Sequence, residues 1–453
     1  MTVAPSRRLL PELDARVAAD GVRIPPGVTV PLTPRVRALV DTVEVRRLAG
    51  ISQLGLVSLV YPGAVHSRLE HSLGAYRLAL EFLARLEHDE RFMATVRPAD
   101  AATFVVAALL HDVGHWPYCH PIEDMGLAEL PRHERLVAEI LARGQLGEIL
   151  RSAWGLDPER VAAVICGTAT DPAGRIVQSL LSGPIDVDKM DYLARDSLHA
   201  GVPYGRHFDE ERLLSSLCLD EAGTALAISD KGRTAAELMV FARYVMFSEV
   251  YWHHAVRAAT AMLQRGMWLV RDRVDPQRLR GMSDADFAPW FLATTAGTPA
   301  ARLADGLFGD RRRLFKRAAT FDAVHHPDVH RACAGRTYAG AVAVSGRLAD
   351  LLRERAGIAV DPALLLVDAP PADREVEFRI QVRERPARAG PDARPAWRRL
   401  DDLSPVVRSL AREQFDDIVK RVRIFAEPDT AAAVAGCADL EQMLLEAATA
   451  APA

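Results

Sequence analysis

Apolar residues recur at helical spacing over residues 35–56, 70–87, 100–111, 133–151, 158–166, 175–198, 233–272 and 340–355, whereas strand-like alternation is scarce before residue 360. This pattern predicts a mainly α fold with a helical core. After Gly357 the texture changes: ALLLVDAPP and EVEFRIQVRER read as strands, PARAGPDARPA as a loop, LSPVVRSLAREQFDDIVK as a helix and RVRIFA as a last strand. The expected organisation is an N-terminal segment (1–35), a helical core (36–356), an α+β C-terminal lobe (357–427) and an Ala-rich tail (428–453) that is a terminal helix or frayed chain.

With 453 residues, 49% hydrophobic and 26% charged, the chain can bury a large core and does not have the composition of a disordered protein. No uninterrupted apolar run reaches membrane-spanning length, and the N-terminal MTVAPSRRLLPELDARV mixes charges into what a secretory signal would keep apolar. A soluble, untargeted, cytoplasmic chain with no membrane partner is expected. Cys119, Cys166, Cys218, Cys333 and Cys437 are scattered with no C-x-x-C pair, so reduced thiols are expected and neither a disulfide framework nor a zinc ribbon is indicated. A net charge of −4 argues against indiscriminate nucleic-acid binding but leaves room for a local basic pocket.

The densest candidate chemistry is LLHDVGHWPYCHPIED, residues 109–124. The small, aliphatic run AATFVVAALL leads into the His111–Asp112 pair, putting an imidazole and a carboxylate at the end of a buried helix. Burial there is costly unless the two are paired or bound to a cation. Such a mixed donor set suits a borderline divalent ion such as Fe, Mn, Co, Ni or Zn. Gly114 and Pro117 disrupt regular helix soon afterwards, which lets His115 and His120 turn around the site. A second His-Asp pair, His88–Asp89 in the charged run LEHDER, is expected to be a solvated helix face.

Three further clusters accompany it. In YPGAVHSRLEHSLGAYRLAL a helix carries Arg68, His71 and Ala75 near one face, and an arginine beside a candidate metal ligand fits a bound anion. In IDVDKMDYLARDSLHAG the residues Asp188, Tyr192 and Asp196 share one stripe, with Lys189 offset by about 100° and Asp191 and Arg195 beside it. Two carboxylates and a tyrosine on a stripe suit a ligand with a metal at one end and hydroxyls at the other. In ARYVMFSEVYWHHAVRAA, Arg243 and Tyr251 lie two turns apart on one face, roughly 12 Å by helical rise, a nucleotide-sized separation.

The ordered set QLGLVSLVYPGAVHSRLEHSLG, LLHDVGHWPYCH, RHE, IDVDKMDYLARD and RYVMFSEVYWHHAVRA resembles the HD-domain deoxynucleoside triphosphate triphosphohydrolases, which include bacterial dGTPases and the vertebrate sterile-alpha-motif HD protein. The resemblance is strong over residues 40–270 and continues more weakly to residue 427, while the first 35 residues add nothing. It implies an HD-domain helical core and a metal set of His71, His111, Asp112 and Asp188 for one divalent transition metal (Mn, Fe, Zn, Co or Ni), with Mg accompanying the triphosphate. In that family the metal and nearby histidines activate water for attack on the α-phosphorus, releasing deoxynucleoside and intact triphosphate. His120 with Glu123 resembles the family's proton-transferring His-carboxylate dyad, and His115, His133 and Glu134 match other polar positions around it. Arg68, Lys189 and Arg243 would hold the triphosphate, Gln53 and Asp196 the sugar 3′-hydroxyl. Tyr192 would crowd the ribose 2′ position, Tyr251 would pack against the sugar and Leu54 would touch the base. A homo-oligomer is implied by resemblance alone.

Departures from the family change the expected regulation. Nucleotide-activated members read guanine with an Asp, a Gln and an Arg ahead of the Gln-Leu-Gly segment; here Asp41 is kept, but Arg46 and Ala49 replace the other two. Arg312 and Lys316 in RRRLFK match a segment near a second allosteric phosphate site, although a solvated basic turn explains them equally well. Trp252 replaces a polar residue often found beside the base. Two alternatives stand beside the triphosphohydrolase: an HD-domain phosphatase or phosphodiesterase on another nucleotide, and a non-catalytic HD regulator, whose mark would be a lost ligand.

Overall fold

A computed structural model of the chain describes residues 9–14, 21–130, 132–370, 379–385, 395–410 and 418–452. After a single 3₁₀ turn at Pro11–Leu13 comes a hairpin, β1 (Gly21–Ile24) and β2 (Val28–Pro31), in the segment where the sequence suggested no element. The first helical stretch is broken into α1 (Pro34–Val40) and α2 (Val43–Arg47), because Thr42 caps the second helix and Gly55 then takes a positive φ. Next come α3 (Arg68–Leu86), α4 (Glu90–Thr95) and α5 (Pro98–Leu110). Ser67 caps α3, and Pro98 begins α5, where the Arg97 backbone N–H donates to the Asp100 carboxylate at 2.9 Å. Every residue from Ala101 to Leu110 is buried, which makes α5 the central rod of the core.

Beyond the turn lie α6 (Cys119–Glu123), α7 (His133–Ala142), α8 (Gly144–Ile149), α9 (Pro158–Ile165), α10 (Pro172–Ser182), α11 (Val187–Ala200), α12 (Glu210–Ser216), α13 (Arg233–Met246) and α14 (His254–Leu269). Three long apolar stretches are thus split. Gly144 adopts φ 75° between α7 and α8, Asp186 caps α11 after the Gly183–Pro184 break, and α13 widens at residues 247–251 before α14. Periodicity alone missed these breaks because the hydrophobic spacing continues across each of them.

The strands are β3 (Leu217–Leu219), β4 (Leu226–Ser229), β5 (Lys316–Phe321), β6 (Leu366–Asp368), β7 (Gln381–Arg383), β8 (Trp397–Arg399) and β9 (Val422–Ala426). One sheet has the order β3-β4-β7-β8 with a parallel β4–β7 pair, and the other is antiparallel in the order β5-β9-β6. RVRIFA supplies the fully buried central strand β9. Its partner β5 begins on the exposed basic pair Lys316 and Arg317 and has no alternating pattern to announce it. Parts of EVEFRIQVRER, of PARAGPDARPA and of the helix expected from LSPVVRSLAREQFDDIVK lie outside the described residues. The Ala-rich tail forms two helices, Pro428–Ala435 and Leu440–Ala450, and the second packs against the helix Tyr338–Ala356.

The central packing brings α3 against both α5 and α11. Gly74 permits the α3–α11 approach, since a Cβ there would lie 1.9 Å from Asp191 Oδ1 and 2.2 Å from Arg195 Nη2.

Candidate active site

Three helices bring together residues far apart in sequence. His71 lies one turn into α3, His111 caps the C-terminus of α5, and Asp188 sits in the first turn of α11. His71 Nε2 is 3.2 Å from His111 Nε2 and 3.0 Å from Asp188 Oδ1, while His111 Nε2 is 3.7 Å from Asp188 Oδ1. Asp112 reaches this group with Oδ1, 3.4 Å from His111 Nε2.

The outer ring nitrogens explain the orientation. His71 Nδ1–H donates to Asp191 Oδ2 at 2.9 Å, and His111 Nδ1–H donates to the Ala108 carbonyl at 2.9 Å. Both Nε2 atoms then point a lone pair into the same space, an arrangement that needs positive charge between them. Burial pulls the His71 pKa down, but the Asp188 and Asp191 carboxylates overcome it and push it up to about 10. The same histidines and Lys189 hold Asp188 at about 2 against its desolvation. Either a proton on His71 or a divalent cation shared by the two imidazoles and the carboxylates supplies the missing charge. The N/O donor set fits a borderline divalent metal.

Asp112 is a junction. Burial raises its pKa, yet His115, His111 and Arg68 hold its carboxyl well below the usual range. Its Oδ2 accepts from Arg68 Nη1 at 2.9 Å, and its Oδ1 lies 3.2 Å from His115 Nδ1. His115 is buried and lies against His133, with ring centroids 3.7 Å apart and the planes tilted by 38°, and its Nε2 is 3.3 Å from His120 Nε2. Gly114 makes this possible, because a Cβ there would lie 2.2 Å from the His133 carbonyl oxygen. Burial, with Arg68 nearby, keeps the His115 pKa well below its ordinary value. Glu123 faces His133 Nδ1 at 3.1 Å with both oxygens but lies 3.5 Å from His120 Nδ1, so its closer partner is His133. Its carboxyl stays below the usual range because His120 and His133 outweigh its desolvation. Glu134 stands at the edge, 3.7 Å from His133 Nδ1.

Beside these groups opens a pocket of about 200 Å³ lined by Gln53, Leu54, Arg68, Tyr118, His120 and Tyr251 among others. Tyr118 itself holds φ 54°, a left-handed conformation unusual for a residue with a side chain, at the entry to α6. Tyr251 Oη donates to Asp196 Oδ2 at 2.6 Å and its ring stands 6.4 Å from that of Tyr192. Lys189 bonds Asp186 at 2.6 Å, and the charges of Lys189 and Arg243 both act on Tyr192. The second His-Asp pair lies in the turn between α3 and α4 and not on the helix face expected of it: His88 is exposed, and Asp89 caps α4.

Sequence reasoning passed over the support of His71. Asp191 grips Arg195 with both oxygens, at 2.7 and 2.8 Å, and Arg195 in turn holds Glu70 at 2.7 Å. The i,i+4 spacing of Asp191 and Arg195 was the available signal, but it is equally the spacing of a surface ion pair. His66 and His199, also passed over, stack at 4.3 Å behind Asp196.

Residues 68–196 match the HD domain, and residues 208–450 match the HD associated region. The chain belongs to this HD-domain family. Among curated relatives, the uncharacterized protein YwfO of Bacillus subtilis is 36% identical over 232 residues, covering 50% of each chain. The deoxynucleoside triphosphate triphosphohydrolase SAMHD1 of Gallus gallus is 30% identical over 258 residues, covering 49% of this chain and 41% of that protein. The chain spans about half the length of the curated relatives it matches. A hypothetical protein from Aquifex aeolicus shares the fold with a TM-score of 0.69 at 24% identity, over 91% of this chain and 99% of that one. So does a phosphohydrolase from Bacteroides thetaiotaomicron, with a TM-score of 0.65 at 20% identity, over 90% of this chain and 100% of that one. No helix among the described residues is long and apolar enough to cross a membrane.

Proposed function

We propose that this chain is a metal-dependent phosphohydrolase that cleaves deoxynucleoside triphosphates to deoxynucleoside and inorganic triphosphate. One observation carries the reading: Arg68 bonds Asp112 of the donor cluster while lining the pocket that Gln53, Leu54, His120 and Tyr251 also line, so a single ligand would meet both. The SAMHD1 relatives, named as deoxynucleoside triphosphate triphosphohydrolases, support the substrate class.

On this reading His71, His111, Asp112 and Asp188 hold one divalent transition metal. When bound, such a cation supplies a water of lowered pKa and offsets charge on phosphoryl oxygens. Arg68, Lys189 and Arg243 hold the triphosphate with fixed positive charge, Lys189 sharing its ammonium with Asp186. Gln53 and Asp196 hydrogen-bond the sugar 3′-hydroxyl, Tyr251 packs on the sugar, and Leu54 touches the base. Tyr192 leaves no partner for a 2′-hydroxyl, so ribose would lose hydration there without compensation. The His115, His120, His133 and Glu123 group, with Glu134 at its edge, handles the proton at the attacking or leaving oxygen, and the chain works as a homo-oligomer.

The test is product analysis of the purified, Mn-loaded protein with each dNTP, NTP and NMP. Inorganic triphosphate released from dNTPs is expected. Phosphate from monophosphates would point to a different HD-domain phosphohydrolase, and no product from any nucleotide would point to a regulator.

A further inference from the structure

We infer that His66 is a positioning residue for recognition of a sugar 3′-hydroxyl, holding Gln53, which lines the pocket, and Asp196, which lies behind the pocket-lining Tyr251; this rests on the nucleotide reading above. His66 is buried, 4% exposed, in the loop that enters α3. Its Nε2 lies 2.9 Å from Asp196 Oδ1, and because a carboxylate only accepts, the imidazole donates. The other oxygen of Asp196 takes the Tyr251 hydroxyl at 2.6 Å. Two donors therefore fix the plane of Asp196 and leave its remaining lone pairs for a ligand hydroxyl. The backbone of His66 acts on the second hydroxyl-binding candidate, since its carbonyl accepts from the Gln53 N–H at 3.0 Å. A Ser52–Ser67 bridge and an Arg68 N–H donated to the Ile51 carbonyl at 2.9 Å hold the two segments in register. Gln53 Oε1 is itself buried without a partner, an acceptor that a ligand hydroxyl would satisfy.

The ring is also held from behind. It stacks on His199 at 4.3 Å and 16°, His199 Nε2 lies 2.9 Å from Glu70, and Glu70 accepts from Arg195. Arg195 grips the Asp191 that orients His71, so one polar network reaches from the donor cluster to the hydroxyl end. A merely space-filling role fits poorly, because His66 Nδ1 is buried with no partner and an apolar ring would avoid that cost.

The test compares full-length, metal-loaded wild type, His66→Phe and His66→Gln on a dNTP and its 2′,3′-dideoxy counterpart, with metal content and Tm measured alongside. Phenylalanine keeps the stack and removes the donor; glutamine returns an N–H. Loss of one charge-assisted hydrogen bond that holds Asp196 should raise KM for the dNTP about tenfold with kcat within about threefold. It should also bring the dNTP and dideoxy kcat/KM values close together at unchanged metal content, with His66→Gln recovering much of the preference. A His66→Phe enzyme that keeps the wild-type preference overturns the inference. Should His66→Phe not fold, His66→Leu, which likewise lacks a donor for Asp196, takes its place, and an unchanged preference in it overturns the inference equally. Wild type that turns over no dNTP overturns the proposed function instead; calorimetric binding of the same nucleotide pair to wild type and His66→Phe then reads the inference separately, and equal affinity for the pair in wild type, or a wild-type preference kept by the variant, overturns it.

Discussion

Asp112 touches the donor cluster, Arg68 and His115 at once, so its replacement distinguishes a metal site from a set of ion pairs. Asp112→Ala is expected to remove both bound metal and activity while the helical circular-dichroism signal remains, because an anionic donor is lost from a mixed N/O site. Full metal occupancy by elemental analysis in that variant would remove Asp112 from the site. Tyr192→Ala addresses the sugar in a different way. Opening space beside the 2′ position should narrow the ratio of dNTP to NTP turnover, and an unchanged ratio would take Tyr192 out of the pocket. At this scale the residue types were legible: His71, His111 and Asp188 are separated by 40 and 77 positions in the chain, yet His111 stood out at the end of an apolar helix, Asp188 on a stripe with Tyr192 and Asp196, and His71 beside Arg68 on one helix face. The support of His71 was not legible, because whether Asp191 reaches an imidazole or solvent depends on where α3 lies.

Gly74 is a dispensable-looking residue in the middle of α3, and substitution by alanine would ordinarily favour a helix. Here the added Cβ would collide with Asp191 and Arg195, so either these two side chains leave their ion pair or the α3–α11 contact opens. Gly74→Ala is expected to cost about 2 kcal/mol by overpacking. Displacing the hydrogen-bond partner of His71 should also weaken metal affinity, roughly 10- to 100-fold. Gly346→Ala, in the helix Tyr338–Ala356 with nothing within 4 Å of the new methyl, is the control and should stabilise by about 0.5–1 kcal/mol. Denaturant melts and metal titration of both variants check the pair; equal behaviour would show that α3 and α11 approach less closely at Gly74. Helix existence was well signalled by periodicity. Helix ends were not, since Gly144, Asp186 and the widened turn at 247–251 interrupt stretches whose hydrophobic spacing runs on.

At the scale of the whole molecule, the departure expected from the family it resembles lies in regulation. Arg46 and Ala49 stand where guanine-reading members carry Gln and Arg, and each lost hydrogen bond costs about 0.5–1.5 kcal/mol, more when charged. Two such losses weaken a guanine site by roughly one to three orders of magnitude. The basic cleft of about 560 Å³ lined by Arg312, Arg313, Lys316 and Arg317 is a separate place, since neither Arg46 nor Ala49 lines it. Turnover of dATP or dTTP alone, with no added GTP or dGTP, is therefore expected. Kinetics on single nucleotides followed by micromolar GTP and dGTP titration check this, and an absolute guanine-nucleotide requirement would show it to be wrong.

By itself the sequence determined the helical class, through hydrophobic spacing, and the chemistry on offer, through imidazoles and carboxylates placed where burial is expensive unless they are partnered. Only the tertiary structure decided which groups meet. It turned Glu123 more closely toward His133 than toward His120, set His66 behind Asp196, and drew β5 from a basic stretch into the sheet of β9. The reason is geometric: spacing along one helix fixes which side chains share a face, whereas contacts between helices depend on approach distances set at Gly74 and Gly114, where the missing Cβ matters only once the neighbouring element has arrived.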